Sequence, residues 1–242
     1  MKKIKSLVSI LLPVHNSSRF LPACLKSLLK QSYKNIEVVA IDDHSKDNSF
    51  RILKGFAKKD KRIRPYKNIK RYGTAVTLNR LMKKAKASFI AFMDPCDITS
   101  THRIKKQIRF VLKNPETVVV GSQCVFINKD NKVLGKSKFP EDGISVQFET
   151  VLINKTLLPK DILKFNINSS PFIYSNFFIK LLPYGKFANL KEYLYFRRNN
   201  PNVYSSDLRK NIVSFIKLWL KSVIDYDYRP SLRSLFSPLA RH

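Results

Sequence analysis

Glycine is scarce in this sequence, and its glycines are far apart. Only six occur among 242 residues, and the two that lie nearest in sequence are Gly135 and Gly143. The dinucleotide-binding fingerprint and the Walker phosphate loop both need clustered glycines, which bring backbone N–H groups close to phosphates. The sequence therefore excludes both motifs, and an α/β protein built from it must hold phosphates through side chains or a metal ion.

Cysteines are few, and long apolar runs are absent. The three cysteines, Cys24, Cys96 and Cys124, are widely spaced, which predicts a reducing compartment and no zinc cluster. No apolar run approaches the roughly 18 residues of a membrane-spanning helix. Residues 7–14 follow a basic start but lack a small-residue cleavage site, so we interpret them as a first strand and not as a signal peptide.

Acidic residues are few relative to basic ones. Lys and Arg number 46 against 17 Asp and Glu, which gives a formal net charge of +29. Such a field attracts polyanions: nucleic acid, anionic lipid headgroups or phosphorylated substrates. The alternative is a biased composition on a solvated surface, because the lysines are scattered along the chain. The 44% hydrophobic content indicates a folded protein.

The first half of the sequence alternates strand-like and helix-like segments. Continuous apolar runs predict strands that are buried on both faces. We predict strands at 7–12, 37–41, 62–66 and 88–93 and helices at 20–29, 48–59 and 74–86, with Asn16, Ser17 and Ser18 as candidate caps of the first helix. This alternation indicates an α/β protein with a mainly parallel, doubly wound sheet.

The second half has a different pattern. We predict a helix at 102–113, a hairpin of 118–127 and 132–138 that turns at 129–131, weak helix at 141–159, a strand at 186–197 and a helix at 208–224. The aromatic stretch 163–183 has no clear assignment. The helix at 208–224 carries lysines on one face and Trp219 on the other, which fits either docking on anionic lipid or a helix that covers the sheet.

Two acidic residues, Asp94 and Asp97, follow the strand at 88–93. The carboxyl edge of an open α/β sheet is where ligands bind, and carboxylates there suit a hard divalent cation that can hold a diphosphate. The alternative is a polar turn in which Asp97 caps a helix that begins near Thr99.

Four segments in this order carry a family resemblance: "VSILLPVHNSSRFLPACLKSLLKQSYKNIEVVAIDDHSKDNS", "KRYGTAVTLNRLMKKAKASFIAFMDPCDI", "NPETVVVGS" and "YGKFANLKEYLYFRR". The sequence resembles the family-2 glycosyltransferases of the GT-A fold, closely over about residues 5–127 and loosely over 180–200. The resemblance implies a GT-A domain at 1–200 with flanking helices, made of a nucleotide-binding half at 1–100 and an acceptor-side half at 101–200. A basic amphipathic helix and tail at 201–242 would form a C-terminal extension.

The resemblance also implies an activity. The family transfers a sugar from a nucleotide-diphosphate donor to an acceptor hydroxyl, usually with inversion and with a divalent cation. For this chain we expect a UDP-type donor, a glycan or lipid-linked acceptor, Mn²⁺ or Mg²⁺, and a role in cell-surface polysaccharide synthesis. The expected location is cytoplasmic, on the inner face of the plasma membrane, with peripheral contact to anionic lipid and no nucleic acid partner.

The resemblance assigns candidate donor-binding residues. They are Pro13, His15, Asn16, Asp43, Arg71, Gly73, Asn79 and Asp94, and the candidate metal ligands are Asp94 and Asp97. Asp43 matches the carboxylate that accepts from the donor base, and helix capping is its alternative role. His15 stands where the family usually has Tyr. Arg71 would contact a phosphate or belong to the basic surface, and Asn79 would contact the donor or support the residues that do.

The sequence departs from the family at two places. Cys96 stands where the second acid of the Asp-x-Asp motif is expected, and a neutral thiol is a poor ligand for Mn²⁺ or Mg²⁺. Ile173 and Tyr174 stand where the family has the acidic general base.

Between residues 143 and 190 only Glu149 and Asp161 are acidic, and no pattern marks either as catalytic. The catalytic residue is therefore unknown. Three hypotheses remain: a divergent glycosyltransferase, an inactive relative that binds a nucleotide sugar or a partner enzyme, and a basic nucleic-acid-binding α/β protein.

Overall fold

The computed structural model describes residues 6–141, 146–168 and 173–198. The strands are β1 (Val8–Val14), β2 (Ile36–Asp42), β3 (Ile63–Lys67), β4 (Phe89–Phe92), β5 (Ile98–Thr99), β6 (Thr117–Ile127), β7 (Val133–Lys136), β8 (Leu152–Asn154) and β9 (Lys186–Arg198). The helices are α1 (Leu21–Leu29), α2 (Ser49–Lys59), α3 (Thr74–Lys84), α4 (Arg103–Lys113) and α5 (Ile173–Ile179), and short 3₁₀ turns lie at Phe148–Thr150, Lys155–Leu157 and Leu182–Tyr184.

The nine strands form one sheet in the order β3-β2-β1-β4-β8-β6-β9-β5, with β7 paired to β6. Strands β3, β2, β1 and β4 are mutually parallel, and β6 and β9 run in the same direction as these four. The sheet is therefore mainly parallel. Strand β8 runs against both of its neighbours, β4 and β6. The single sheet extends across both halves of the predicted 1–200 domain.

Two hydrophobic clusters cover the two faces of the sheet. One contains apolar residues of α1, α2 and α4, and the other contains apolar residues of α3 and α5. Adjacent residues of β2, such as Val38 and Val39, point into opposite clusters and are both fully buried. This arrangement explains the continuous apolar runs of the sequence, because a strand covered on both faces needs apolar side chains at every position.

The structure confirms the predicted α/β class and the alternating elements of the first half, as well as the hairpin and the last described strand. The prediction of weak helix at 141–159 is wrong, because Leu152–Asn154 form β8 in the middle of the sheet. All three β8 residues are buried, and pairing with two strands outweighs their weak local preference.

The predicted helix at 102–113 is confirmed as α4, but the alternative start near Thr99 and the side-chain cap of α1 are wrong. No helix begins near Thr99, since Ile98 and Thr99 pair with β9 as strand β5 and α4 begins at Arg103. Helix α1 begins at Leu21 without a side-chain cap. The predicted C-terminal helix at 208–224 and the 201–242 extension lie outside the described residues. Within the described ranges, no helix has the length and apolar character needed to cross a membrane.

Candidate active site

The candidate site lies at the carboxyl ends of β1, β2, β3 and β4. These strands are parallel and adjacent, so the residues that follow them meet at one edge of the sheet. Asp43 follows β2, and its backbone N–H donates to the carbonyl of Val14 at the end of β1 (2.7 Å). This edge brings together the predicted residues of the first, second and fourth strands.

The turn after β1 is fixed to the loop between β2 and α2. His15 Nδ1 lies 2.9 Å from the carbonyl oxygen of Asp43, and His15 Nε2 lies 3.2 Å from the Asn16 amide nitrogen. Asn16 has a positive φ of 47°, and its side-chain oxygen accepts from the N–H of Lys46 (2.9 Å). Pro13 pairs with Ile41 in the sheet. The predicted caps of α1 therefore join two loops at the site edge.

The Asp43 carboxylate is the centre of a buried hydrogen-bond network. Its Oδ1 accepts from Asn68 Nδ2 (2.7 Å) and from the N–H of Tyr72 (2.9 Å), and its Oδ2 accepts from the N–H of Gly73 (2.8 Å). The side chain is only 5% exposed. Burial by itself would raise the pKa of Asp43, but the hydrogen bonds from Tyr72, Asn68 and Gly73 hold it below the ordinary value of 3.8.

This network sets the start of helix α3. Gly73 has φ of 83° and ψ of 170° at the position before the helix, a conformation that other residues rarely adopt. The two N–H groups bound by Asp43 belong to the residues just before the helix. Asp43 therefore orders the β3–α3 loop, including Arg71, whose side chain is exposed to solvent beside the site.

Asn68 and Arg80 belong to the same network, and the sequence reasoning missed both. Asn68 donates to Thr77 Oγ1 (3.1 Å) as well as to Asp43, and its oxygen accepts from Arg80 Nη1 (2.7 Å). The Arg80 guanidinium also lies 3.9 Å from the centre of the Tyr72 ring. The signal for Asn68 was its place immediately after β3, the same edge position that marked Asp43.

Asn79 holds a distant part of the chain. Its Nδ2 donates to the carbonyl of Phe165 (2.9 Å), and its Oδ1 accepts from the N–H of the same residue (2.7 Å). Both polar groups of the amide are thus bonded to the backbone of the 165 segment. This geometry places Asn79 between α3 and that segment, and its predicted role at the donor stays a prediction.

The turn after β4 carries the two candidate metal ligands in different settings. Asp94 is partly exposed, and its Oδ1 accepts from the N–H of Cys96 (2.8 Å). Asp97 is only 3% exposed, and its oxygens accept from the Tyr195 hydroxyl (2.8 Å) and from the N–H of Arg198 (2.6 Å). Asp97 therefore ties the turn to strand β9, while Asp94 faces the site edge.

Burial changes the acidity of this turn. It raises the pKa of Asp94, and it raises the pKa of Asp97 well above the ordinary value of 3.8, with the charge of Asp94 adding to the effect. Burial also raises the pKa of the Cys96 thiol to about 12, with the charge of Asp94 adding to the effect. Cys96 is thus a neutral thiol at neutral pH, a form that does not ligate hard cations.

The donor set fits a cation that is held mainly by its substrate. Among the described residues, no three His, Cys, Asp or Glu side chains are grouped to hold a metal ion. Mg²⁺ commonly binds through one or two carboxylates together with substrate phosphates and water, so Asp94 at a ligand-binding edge meets this minimum. Asp97 as a second ligand stays a prediction, and its oxygens already accept two protein hydrogen bonds.

The two acidic residues between 143 and 190, Asp161 and Glu149, lie in different parts of the fold. Asp161 is exposed and lines a groove along α3 with Lys83 and Lys160. Glu149 lies in the 3₁₀ turn that precedes β8 and is 6% exposed. Tyr174, in the place where the resemblance expects a base, stacks on Phe148 with ring centres 3.9 Å apart.

Comparison with known proteins matches this arrangement. The family model described as "Glycosyl transferase family 2" matches residues 9–178. The chain belongs to glycosyl transferase family 2. The matched range includes all four strand ends that form the site.

Curated glycosyltransferases match part of the chain. Glycosyltransferase GlyG of Streptococcus pneumoniae is 29% identical over 174 residues, which are 72% of this chain and 56% of GlyG. The Escherichia coli UDP-Glc:alpha-D-GlcNAc-diphosphoundecaprenol beta-1,3-glucosyltransferase WfgD is 33% identical over 69% of this chain and 65% of its own length. An uncharacterized glycosyltransferase of Haemophilus influenzae is 37% identical over 52% of this chain and 51% of that protein. The chain thus spans about half to two thirds of these relatives.

Solved structures share the fold. Staphylococcus aureus TarS 1-349, in complex with UDP-GlcNAc, superposes with a TM-score of 0.75 at 17% identity over 92% of this chain and 68% of TarS 1-349. The mannosyltransferase PcManGT of Pyrobaculum calidifontis, in complex with GDP-Man and Mn²⁺, gives 0.65 at 12% identity over 96% of this chain and 67% of PcManGT. The predicted GT-A fold is confirmed by this likeness.

Proposed function

We propose that the chain transfers a sugar, with inversion, from a UDP-type donor to a glycan or lipid-linked acceptor in cell-surface polysaccharide synthesis. The observation that carries the proposal is the meeting of Asp43, His15 and Asp94 at one edge of a GT-A sheet. The names of two similar proteins support the donor class, since WfgD is a UDP-Glc enzyme and the TarS structure contains UDP-GlcNAc. The acceptor class follows the diphosphoundecaprenol in the name of WfgD.

We assign the nucleotide and the divalent cation to different residues of the site. We assign the nucleotide to the edge built by Pro13, His15, Asn16 and the Asp43 network, with Arg71 and Gly73 at the adjoining loop. Asp43 has a lowered pKa, so its carboxylate is ionised at neutral pH and would accept from a base N–H. Asp94 would hold a divalent cation, with Asp97 as the second ligand. A bound Mn²⁺ or Mg²⁺ would offset the charge that develops on the departing diphosphate.

Binding of UDP with and without Mn²⁺ tests this function. Isothermal titration calorimetry of the wild-type chain should show UDP binding that strengthens with Mn²⁺. Asp94→Ala should remove that metal dependence, because it deletes the partly exposed carboxylate of the turn, whereas Asp130→Ala in the exposed hairpin turn should leave it unchanged. Absence of binding by any nucleoside diphosphate would contradict both the transferase and the donor-binding relative.

One specific observation favours the alternative hypothesis that the chain is an inactive relative. The side chains at the place of the family's base are Ile173 and Tyr174, neither of which accepts a proton near neutral pH. Donor binding without release of UDP from a UDP-sugar would favour that second function. Turnover would favour the enzyme and requires a base elsewhere.

A further inference from the structure

The strand pairing next to the site brings the turn that contains Glu149 to the end of β4, just before the turn that carries Asp94. Strands β4 and β8 pair antiparallel, with Ile90 opposite Ile153 and Ala91 opposite Leu152. The N–H of Phe92 donates to the carbonyl of Val151 (3.4 Å), which extends the same register by one residue. Before Val151 the chain forms the 3₁₀ turn Phe148–Thr150, so this turn lies beside the end of β4, two residues before Asp94.

A buried arginine holds the Glu149 backbone in this place. Arg103 of α4 is fully buried, and its Nη2 donates to the carbonyls of Glu149 (2.9 Å) and Phe92 (3.1 Å). One nitrogen thus joins the turn before β8 to the end of β4. Gln107, also fully buried, donates to the carbonyl of Thr150 (2.7 Å). The position of Glu149 is therefore built into the fold and does not depend on a bound substrate.

The Glu149 side chain is held at one oxygen. Gln147 Nε2 donates to Oε2 (2.5 Å), and no described residue donates to Oε1. The charge of Glu149 also helps to raise the pKa of Asp94, after the larger effect of burial, which agrees with the position of its turn at the end of β4. An oriented carboxylate with one oxygen that lacks a protein donor has the form required of a general base.

We propose that Glu149 is the general base that accepts the proton of the acceptor hydroxyl. The assignment rests on the proposed transferase function and supplies the residue that it lacks. Glu149 takes the proton as the acceptor oxygen forms its bond to the anomeric carbon of the donor sugar. The bond from that carbon to the β-phosphate oxygen breaks, the electron pair leaves with UDP, and Glu149 later releases the proton to water.

Asp161 provides a matched control, because it is the other acidic residue between 143 and 190 and is exposed on the α3 groove. UDP release from UDP-glucose with Mn²⁺ is measured with two acceptors, water and a GlcNAc-diphospholipid. Glu149→Gln should lower the rate by about 10²–10⁴-fold, the usual contribution of a general base. Asp161→Asn should keep the wild-type rate.

Three further readouts separate catalysis from structure. UDP affinity and melting temperature should be unchanged in Glu149→Gln, and Glu149→Asp should recover part of the rate because it keeps a carboxylate. Wild-type turnover by Glu149→Gln, or losses of affinity and melting temperature in step with the rate, would overturn the assignment. Should Glu149→Gln fail to fold, a folded Glu149→Asp with the full wild-type rate would also count against it.

Measurements on the wild-type chain distinguish the assignment of Glu149 from the proposed function on which it rests. If the wild type binds UDP-glucose but releases no UDP to either acceptor, Glu149 is not a base and donor binding stands. If the wild type does not bind UDP, the proposed function itself fails.

Discussion

At the scale of single residues, the carboxylates of the site differ through their surroundings. Asp43 accepts three hydrogen bonds and has a lowered pKa, whereas Asp97 is buried near another carboxylate and has a raised one. Their effects on stability therefore have opposite signs. Asp43 stabilises the fold above its unfolded-state pKa, and this contribution is lost as the pH falls through its lower folded-state value. Asp97 favours folding when protonated and opposes it as the pH rises.

Replacement of Asp43 tests the first of these effects. Asp43→Asn should lower the free energy of unfolding at neutral pH by about 1.5–3 kcal/mol, because hydrogen bonds to a charged acceptor are lost. The difference from wild type should shrink as the pH falls below the ordinary Asp value of 3.8, where the wild type loses the same contribution. Urea unfolding at several pH values measures it, with the exposed Asp130→Asn as control. A difference that is independent of pH would contradict the assignment.

At the scale of elements, the ends of strands and helices determine the positions of the site residues. Helix α3 starts from a glycine conformation that Asp43 stabilises, and α4 fixes the turn before β8 through Arg103 and Gln107. A buried arginine that binds only backbone carbonyls and neutral side chains is costly, because its charge is removed from water. Arg103 thus links the core to the position of Glu149.

Two glycines in neighbouring elements give a matched comparison. Gly73→Ala should destabilise the protein by about 1–3 kcal/mol, because alanine is strained at its positive φ, and it should weaken UDP binding through the Asp43 network. Gly55 lies exposed within α2, and an added Cβ there meets no atom within 4 Å. Gly55→Ala should therefore stabilise by about 0.5–1 kcal/mol. Thermal unfolding and calorimetry measure both, and equal effects of the two changes would contradict this account.

At the scale of the whole molecule, charge is the dominant property. The net charge of +29 gives a field that favours anionic surfaces, and a lipid-linked acceptor would be presented at such a surface. We therefore propose that the protein works at the cytoplasmic face of the plasma membrane in peripheral contact with anionic lipid.

Vesicle sedimentation tests this location. The full chain should sediment with phosphatidylglycerol vesicles at low salt and be released at high salt, because the attraction between charges is screened. Phosphatidylcholine vesicles serve as the uncharged control. Binding to DNA that is tighter than binding to both UDP and anionic vesicles would instead favour a nucleic-acid-binding protein.

The sequence by itself determined the α/β class, the family and the edge of the sheet where the site lies. Buried strands need continuous apolar runs, and polar residues such as Asp43 and Asp94 interrupt these runs where the strands end. Both are local properties, so the amino-acid sequence alone is enough to predict them. Position after a strand also marks Asn68, although its hydrogen bond to Asp43 is visible only in the fold.

Only the tertiary structure decided which residues meet across the sheet. Strand β8 has weak local preference, and its place between β4 and β6 comes from long-range pairing. That pairing brings the turn of Glu149 to the end of β4, where Arg103 holds its backbone. No sequence motif marks Glu149. The residues near it in the fold, Arg103 and Asp94, lie 46 and 55 positions away along the chain. The strand ends thus follow from composition and order, and the position of the candidate base follows from the long-range contacts of β8 and α4.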